Sequence, residues 1–416
     1  MIRRRAVASL AIVMTLAAVS RAGDTTAASW SRWGGPNQDF RAPAEGLAAS
    51  WPDDGPRKLW SRPLGDGYSA ILFEDGRLYT MYRAGDEEAV VCLDAGTGET
   101  VWEHRYVHTP RDEHVRGFGS GPNATPLIAG DRLFTIGVSG RMHALSKSDG
   151  KVVWTRDLWD EELDGNFLAH GYSSSPVAYK ENVIVAVGGE KNGLVAFDQA
   201  SGKVKWTSEA FKNSYSSPRI VDIAGEAQLV TFTAEALFGL DPDSGKLRWR
   251  YDYGNPWGHN IGMPTIVGGD TVFLSSPQTG ARGLQLARDG DTITAEEVWT
   301  QRRIQFYHGA TARIGDWVYG STGTSSPTFM AAVNIRTGEI GWRERGIARA
   351  NCVEADGKLI ILGEDGTLYL AVATPEKLVV HSKTQLLAEV AWTVPTIVGR
   401  VLYARDKTQI IAVDLG

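Results

Sequence analysis

A chain of 416 residues, 43% hydrophobic and 22% charged, is long enough for one large globular domain or two to three smaller ones. Its formal net charge of -6 provides no electrostatic footprint for nucleic acid, which calls for a clustered basic surface. With 47 Gly and 14 Trp, the composition favours short strands and tight turns over helices.

The chain opens with Arg3, Arg4 and Arg5, an apolar run over residues 6–19, and Ser20-Arg21-Ala22. This pattern is expected to be a signal peptide, residues 1–22, cleaved after Ala22. The apolar run is too short for a comfortable membrane span, so an exported chain, periplasmic or secreted, with no membrane span is expected. No Cys follows the cleavage point, so no lipid anchor is expected there. Residues 23–50 read as an N-terminal extension and residues 51–416 as the folded domain.

That domain is a repeat. Trp102, Trp154, Trp206, Trp249 and Trp342 each close a similar phrase, with Gly98, Gly150, Gly202, Gly245 and Gly338 four positions upstream. Asp94, Ser146, Asp198, Asp241 and Asn334 lie four further back, and Trp60 and Trp299 mark looser copies. The interval is about 42 to 52 residues, in the range of propeller repeats. An apolar run before the Asp reads as a buried strand. The Asp and Gly then make a tight turn, with the carboxylate bonding local amides and Gly free to take positive φ. The Trp lies on the next, outer strand.

Each copy also opens alike, with Pro126, Pro176, Pro218, Pro264 or Pro395 at the start of its first strand, where no ladder bond is lost. Four antiparallel strands per copy, repeated radially, predict an all-β, eight-bladed β-propeller. Six blades end near Trp102, Trp154, Trp206, Trp249, Trp299 and Trp342, a seventh lacks the Trp, and an eighth reaches Gly416 without an outer strand. Residues 55–64, "GPRKLWSRPL", form an outer strand with nothing before it. The N-terminal strand is therefore expected to complete the eighth blade and shut the ring, leaving no long sheet edge open.

The phrases "CLDAGTGETVW", "AFDQASGKVKW" and "GLDPDSGKLRW" closely resemble the PQQ-like (pyrroloquinoline quinone) repeat, over about residues 51–416. The resemblance is specific for fold. One branch of that family holds quinoprotein dehydrogenases, with pyrroloquinoline quinone and calcium in an eight-bladed propeller; another holds non-catalytic, BamB-like members. Cys92 and Cys352 are not the adjacent pair many of the dehydrogenases carry, and no set here matches their calcium ligands. Trp30, Trp33, Gly34, Gly35 and Pro36 spell a WxxWGGP phrase that resembles a third, exported group of such propellers.

Residues just before inner strands ring a propeller's channel. Those positions place His170, Tyr172, Tyr215, His259, Asn260 and His308 toward one mouth. Converging imidazoles suit a metal or general-base chemistry; equally, such groups satisfy backbone amides and channel water. Two long loops on that face, residues 103–123 and 156–171, are expected to meet envelope proteins or an extracellular ligand. The second carries Asp157, Asp160, Glu161, Glu162 and Asp164, without the spacing of an EF-hand. Phe118, Trp159 and Phe167 add apolar contact material. No nucleophile elbow, P-loop or Rossmann glycine pattern occurs, and residues 117–121 read as a flexible loop. Cys92 and Cys352 are expected to be buried thiols. The sum is an exported, monomeric, non-catalytic binding or scaffold module with no cofactor. The alternative is a PQQ-dependent quinoprotein alcohol or sugar dehydrogenase using calcium, and a hydrolase or lyase at the polar mouth is a third.

Overall fold

The computed structural model describes residues 29–107, 119–166, 168–290, 292–307, 310–323 and 327–416. Its strands form eight sheets. The first blade is an antiparallel meander of Leu72–Glu74, Arg77–Ala84, Glu87–Asp94 and Thr100–Val107. The following blades occupy residues 127–157, 177–207, 219–252, 265–301, 312–344 and 350–385. The eighth takes its outer strand from the other end of the chain. Arg57–Pro63 pairs antiparallel with Gln409–Asp414, setting Trp60 opposite Ala412 and Arg57 opposite Asp414. The ring closes as the repeat count requires.

The turn chemistry follows the sequence. Asp94 Oδ1 accepts from the amides of Gly96 and Thr97, both at 3.1 Å, and Asn334 Oδ1 does the same for Arg336 and Thr337. Several Trp of the phrase and its looser copies hydrogen-bond to the next blade. The indole N–H of Trp102 donates to the Lys147 carbonyl, that of Trp154 to Gln199, that of Trp299 to Ile335 and that of Trp342 to Thr374, at 2.8–3.0 Å. Trp249 departs from this. Its neighbour is the fifth blade, whose long outer hairpin of Gly280–Asp289 and Thr292–Gln301 lacks the Asp-x-x-x-Gly turn. Trp249 turns back instead and donates to Gln228 Oε1 of its own blade at 2.7 Å.

One element was not legible in advance. Residues 30–51 form a strap across the axis. Trp30 bridges to Phe73 in the first blade, and the Ser31 carbonyl accepts from the Ile128 amide in the second. Gln38 reaches the Pro218 carbonyl of the fourth. Arg41–Ala42 then adds a parallel fifth strand to Ala350–Ala355, the inner strand of the seventh. Leu47, Ala48 and Trp51 fasten the strap to Asp356, Leu415 and Ser382. Trp30, Phe40, Leu47 and Trp51 are all buried in one cluster with blades seven, eight and one. Burying each such side chain contributes roughly 1.5–3 kcal/mol, which explains how a segment with one short ladder is held. Cys92 and Cys352 are buried, unbridged thiols.

Candidate functional site: an axial cavity

The loops entering the inner strands surround a cavity of about 660 Å³ on the axis, within the range of ligand pockets. Trp33 and Phe40 of the strap line it from below. Its ring is stapled blade to blade by side chains at the head of the inner strands. The Ala70 amide donates to Thr125 Oγ1, that of Thr125 to Ser175 Oγ and that of Ser175 to Ser217 Oγ, at 2.9–3.1 Å. On the far side the Ala310 amide donates to Asn351 Oδ1 at 3.0 Å. The Ser or Thr before Pro126, Pro176 and Pro218 thus supplies what the inner strands lack, an acceptor for amides turned toward the channel.

One wall is made of imidazoles and phenols. The rings of His170 and His259 are 5.6 Å apart, and Tyr215 lies 5.3 Å from His259. His259 Nδ1 shares a hydrogen bond of 3.1 Å with the Tyr307 hydroxyl. Burial, and then the neighbouring His170, hold the His259 imidazole below its ordinary value, so it is neutral near pH 7. Burial pushes the Tyr215 phenol up to about 12.

The opposite wall holds Tyr68 and Trp392, ring centroids 5.1 Å apart at 37°. Glu364 Oε2 accepts from both Arg349 Nε, at 2.9 Å, and the Trp392 indole, at 3.0 Å. Arg349 therefore comes to the cavity already paired, its guanidinium 5.7 Å from the Trp392 ring.

Of the residues the sequence proposed, His170, Tyr215 and His259 line the cavity together. Tyr172 is buried behind it, its hydroxyl donating to the Ala186 carbonyl at 2.8 Å. Asn260 is also buried and spends its amide on the carbonyls of Thr233 and Tyr253. His308, Phe118 and Phe167 lie outside the described residues. Reasoning from sequence missed Tyr68, Trp392, Arg349 and the strap's Trp33. The first three stand just before inner strands, the very position used to find the histidines, and that position was the available signal.

Three of the five carboxylates of the acidic loop are spent on backbone amides, while Glu161 and Glu162 stay exposed. Asp157 accepts from the Trp159 amide, Asp160 from that of Leu163 and Asp164 from that of Lys191, and Leu163 is buried. Among the described residues no three His, Cys, Asp or Glu side chains gather to hold a metal ion.

A family model described as outer membrane protein assembly factor BamB matches residues 86–344, more than half of the chain. The chain belongs to that family. It is 24% identical over 370 residues to BamB of Salmonella typhimurium, covering 76% of this chain and 88% of that one. It is 25% identical over 232 residues to the quinohemoprotein alcohol dehydrogenase ADH IIB of Pseudomonas putida, covering 50% of this chain and 32% of the relative. A BamB of Shewanella oneidensis is 24% identical over 270 residues, 62% of this chain and 64% of the relative. The matches thus span about a third of the quinohemoprotein and just under two thirds of the Shewanella BamB. Among solved structures, a europium-containing methanol dehydrogenase superposes with a TM-score of 0.65 at 13% identity, covering 93% of this chain and 89% of that one. A computationally designed protein, Ika8, superposes with a TM-score of 0.60 at 11% identity, covering 86% and 99%. These two likenesses establish the propeller fold.

The quinoprotein relatives raise the question whether this cavity suits pyrroloquinoline quinone. Its volume does. Its donor set does not: the quinone is a tricarboxylate, while the described lining holds one guanidinium, already paired with Glu364, and no carboxylate for a calcium ion.

Proposed function

We propose that this protein is an exported, non-catalytic binding module of the cell envelope whose axial cavity receives a small organic ligand. The observation behind this reading is the cavity itself: aromatic walls, a stapled polar rim and a base formed by the strap. The acidic loop keeps Glu161 and Glu162 exposed on the same chain and remains a second surface for an envelope partner. Membership of the BamB family fits an envelope role.

The experiment is a melting-temperature screen of the purified protein against a small-molecule fraction of envelope extract. A ligand at a hundred times its Kd stabilises by about 2.7 kcal/mol. Ser173 lines the cavity without a stapling bond, so Ser173→Trp fills the space and leaves the ring intact. A stabilisation present in the wild type and absent in Ser173→Trp is expected. No ligand-dependent shift, or one that Ser173→Trp retains, counts against the reading.

The quinoprotein reading has the dehydrogenase relatives and the cavity volume in its favour. Incubation with pyrroloquinoline quinone and Ca²⁺ decides it. Bound-quinone absorbance with alcohol-dependent dye reduction would replace the binding reading with that one.

A further inference from the structure

We propose that the ligand of the axial cavity is an uncharged saccharide, an inference that rests on the cavity being a ligand site.

The described lining has no carboxylate, and its one guanidinium is held by Glu364. A charged ligand would leave water with no free counter-charge to meet it, at a cost of several kcal/mol. A neutral ligand avoids that cost.

Tyr68 and Trp392 present a tilted pair of rings on one wall. Trp257 stands at the mouth, 47% exposed, the most exposed of the chain's large aromatic side chains among the described residues. Its ring packs only loosely, 6.2 Å from His259. Flat apolar surfaces at the side and mouth suit a ligand with a flat C–H face, as a pyranose has.

Ser175, Ser217 and Thr125 accept backbone amides from the neighbouring blade, which leaves each hydroxyl hydrogen to donate. Asn123 also lines the cavity, its Nδ2 donating to the His170 carbonyl at 2.9 Å. Hydroxyl donors around one cavity, between aromatic faces, complement a polyol, whose oxygens accept them. A flat aromatic lacking hydroxyls would leave the rim unpaired.

The test is titration of the purified protein with glucose, galactose, maltose and cellobiose, read by tryptophan fluorescence and calorimetry. Glucuronate, glucosamine and pyrroloquinoline quinone are the charged probes. At least one neutral sugar is expected to bind, with its charged counterpart about tenfold weaker or more, equivalent to about 1.4 kcal/mol. Trp257→Ala, at an exposed side chain, is expected to weaken sugar binding by a similar factor with melting unchanged. The proposal is overturned if no neutral sugar binds at millimolar concentration, if a charged probe binds as tightly, or if Trp257→Ala leaves sugar affinity intact. Quinone binding that Ser173→Trp abolishes would overturn the saccharide and spare the cavity as a ligand site. If neither sugars nor envelope molecules respond to Ser173→Trp, both readings fall.

Discussion

Trp60 lies against Gly98: a Cβ placed on Gly98 would come within 2.6 Å of the indole ring. Trp60 precedes the first blade in the chain yet belongs to the last, and its N–H donates to the Ala95 carbonyl at 2.9 Å. This contact is where the ring shuts. The same relation recurs between Trp102 and Gly150, Trp154 and Gly202, Trp206 and Gly245, and Trp299 and Gly338. The Gly of the repeat phrase thus answers to the Trp of the blade before it, as well as to its own turn.

Gly98→Ala therefore has two costs, and Gly76→Ala has one. Both glycines have positive φ, 75° and 71°, but Gly76 faces open space. Gly76→Ala is expected to lose about 1 kcal/mol for the backbone alone. Gly98→Ala adds overpacking of about 1–3 kcal/mol. Urea midpoints of the two variants measure the difference, and equal midpoints would show that Trp60 yields freely.

A second closure lies nearer the axis. Arg405, in the eighth blade, is fully buried and donates to the carbonyls of Gly65, Ser69 and Met81 and to Thr80 Oγ1, all in or before the first blade. Burial pushes its guanidinium down to about 10, still charged at neutral pH. Arg405→Met leaves several buried acceptors unmet, so a loss of more than about 2 kcal/mol is expected. Arg405→Lys is expected to recover little, because one ammonium cannot span the fork's partners. Urea unfolding checks both, and a Lys variant as stable as wild type would reduce Arg405 to a point charge.

The fold was legible because its signal is local and periodic: a turn and a Trp, with each Asp and Gly doing its work within a few residues. The closing strand was legible because residues 55–64 carry an outer-strand pattern with no preceding strands. The strap was not, since its partners Glu354, Asp356 and Ser382 stand some three hundred residues away and no period marks them. At the site, histidines drew attention to one wall, while Tyr68 and Trp392 occupied equivalent positions on the other without a chemical flag. Tyr172 and Asn260 show the converse limit. They sit beside lining residues in sequence, and the loop backbone turns them inward to satisfy carbonyls.

Acid should weaken the protein through its histidines. Burial holds His104 and His259 below their ordinary 6.5, with His170 adding to the effect on His259. The unfolded chain takes up protons near pH 6.5 and the folded chain only further down, so between those values the unfolded state binds more protons. Stability is therefore full above pH 6.5 and falls as the pH drops through the folded values. His104 Nε2 is buried without a partner, which makes its protonation in place costly. Melting temperature is expected to decline below about pH 6.5, less steeply in His104→Gln. An unchanged slope in that variant would assign the decline to other groups.

A buried ion pair within blade one is tied to blade two through the Val138 amide. Glu88 is fully buried and accepts from Arg83 at 2.9 Å, from the Tyr106 hydroxyl at 2.7 Å and from the Val138 amide of the next blade at 3.0 Å. Arg83 is 5% exposed. Glu88→Ala strands that guanidinium and is expected to cost about 3–5 kcal/mol. Glu88→Gln keeps the shape and some of the bonds but not the charge, and should fall between Ala and wild type. If the pair is held for its mutual attraction, Arg83→Met/Glu88→Leu should stay as weak as the single variants. If the single losses come from stranding a charge, the double variant should recover that part of the stability, the remainder being the bonds that the Tyr106 hydroxyl and the Val138 amide lose with Glu88. The buried geometry favours recovery, and a double-mutant cycle by urea unfolding separates the two outcomes.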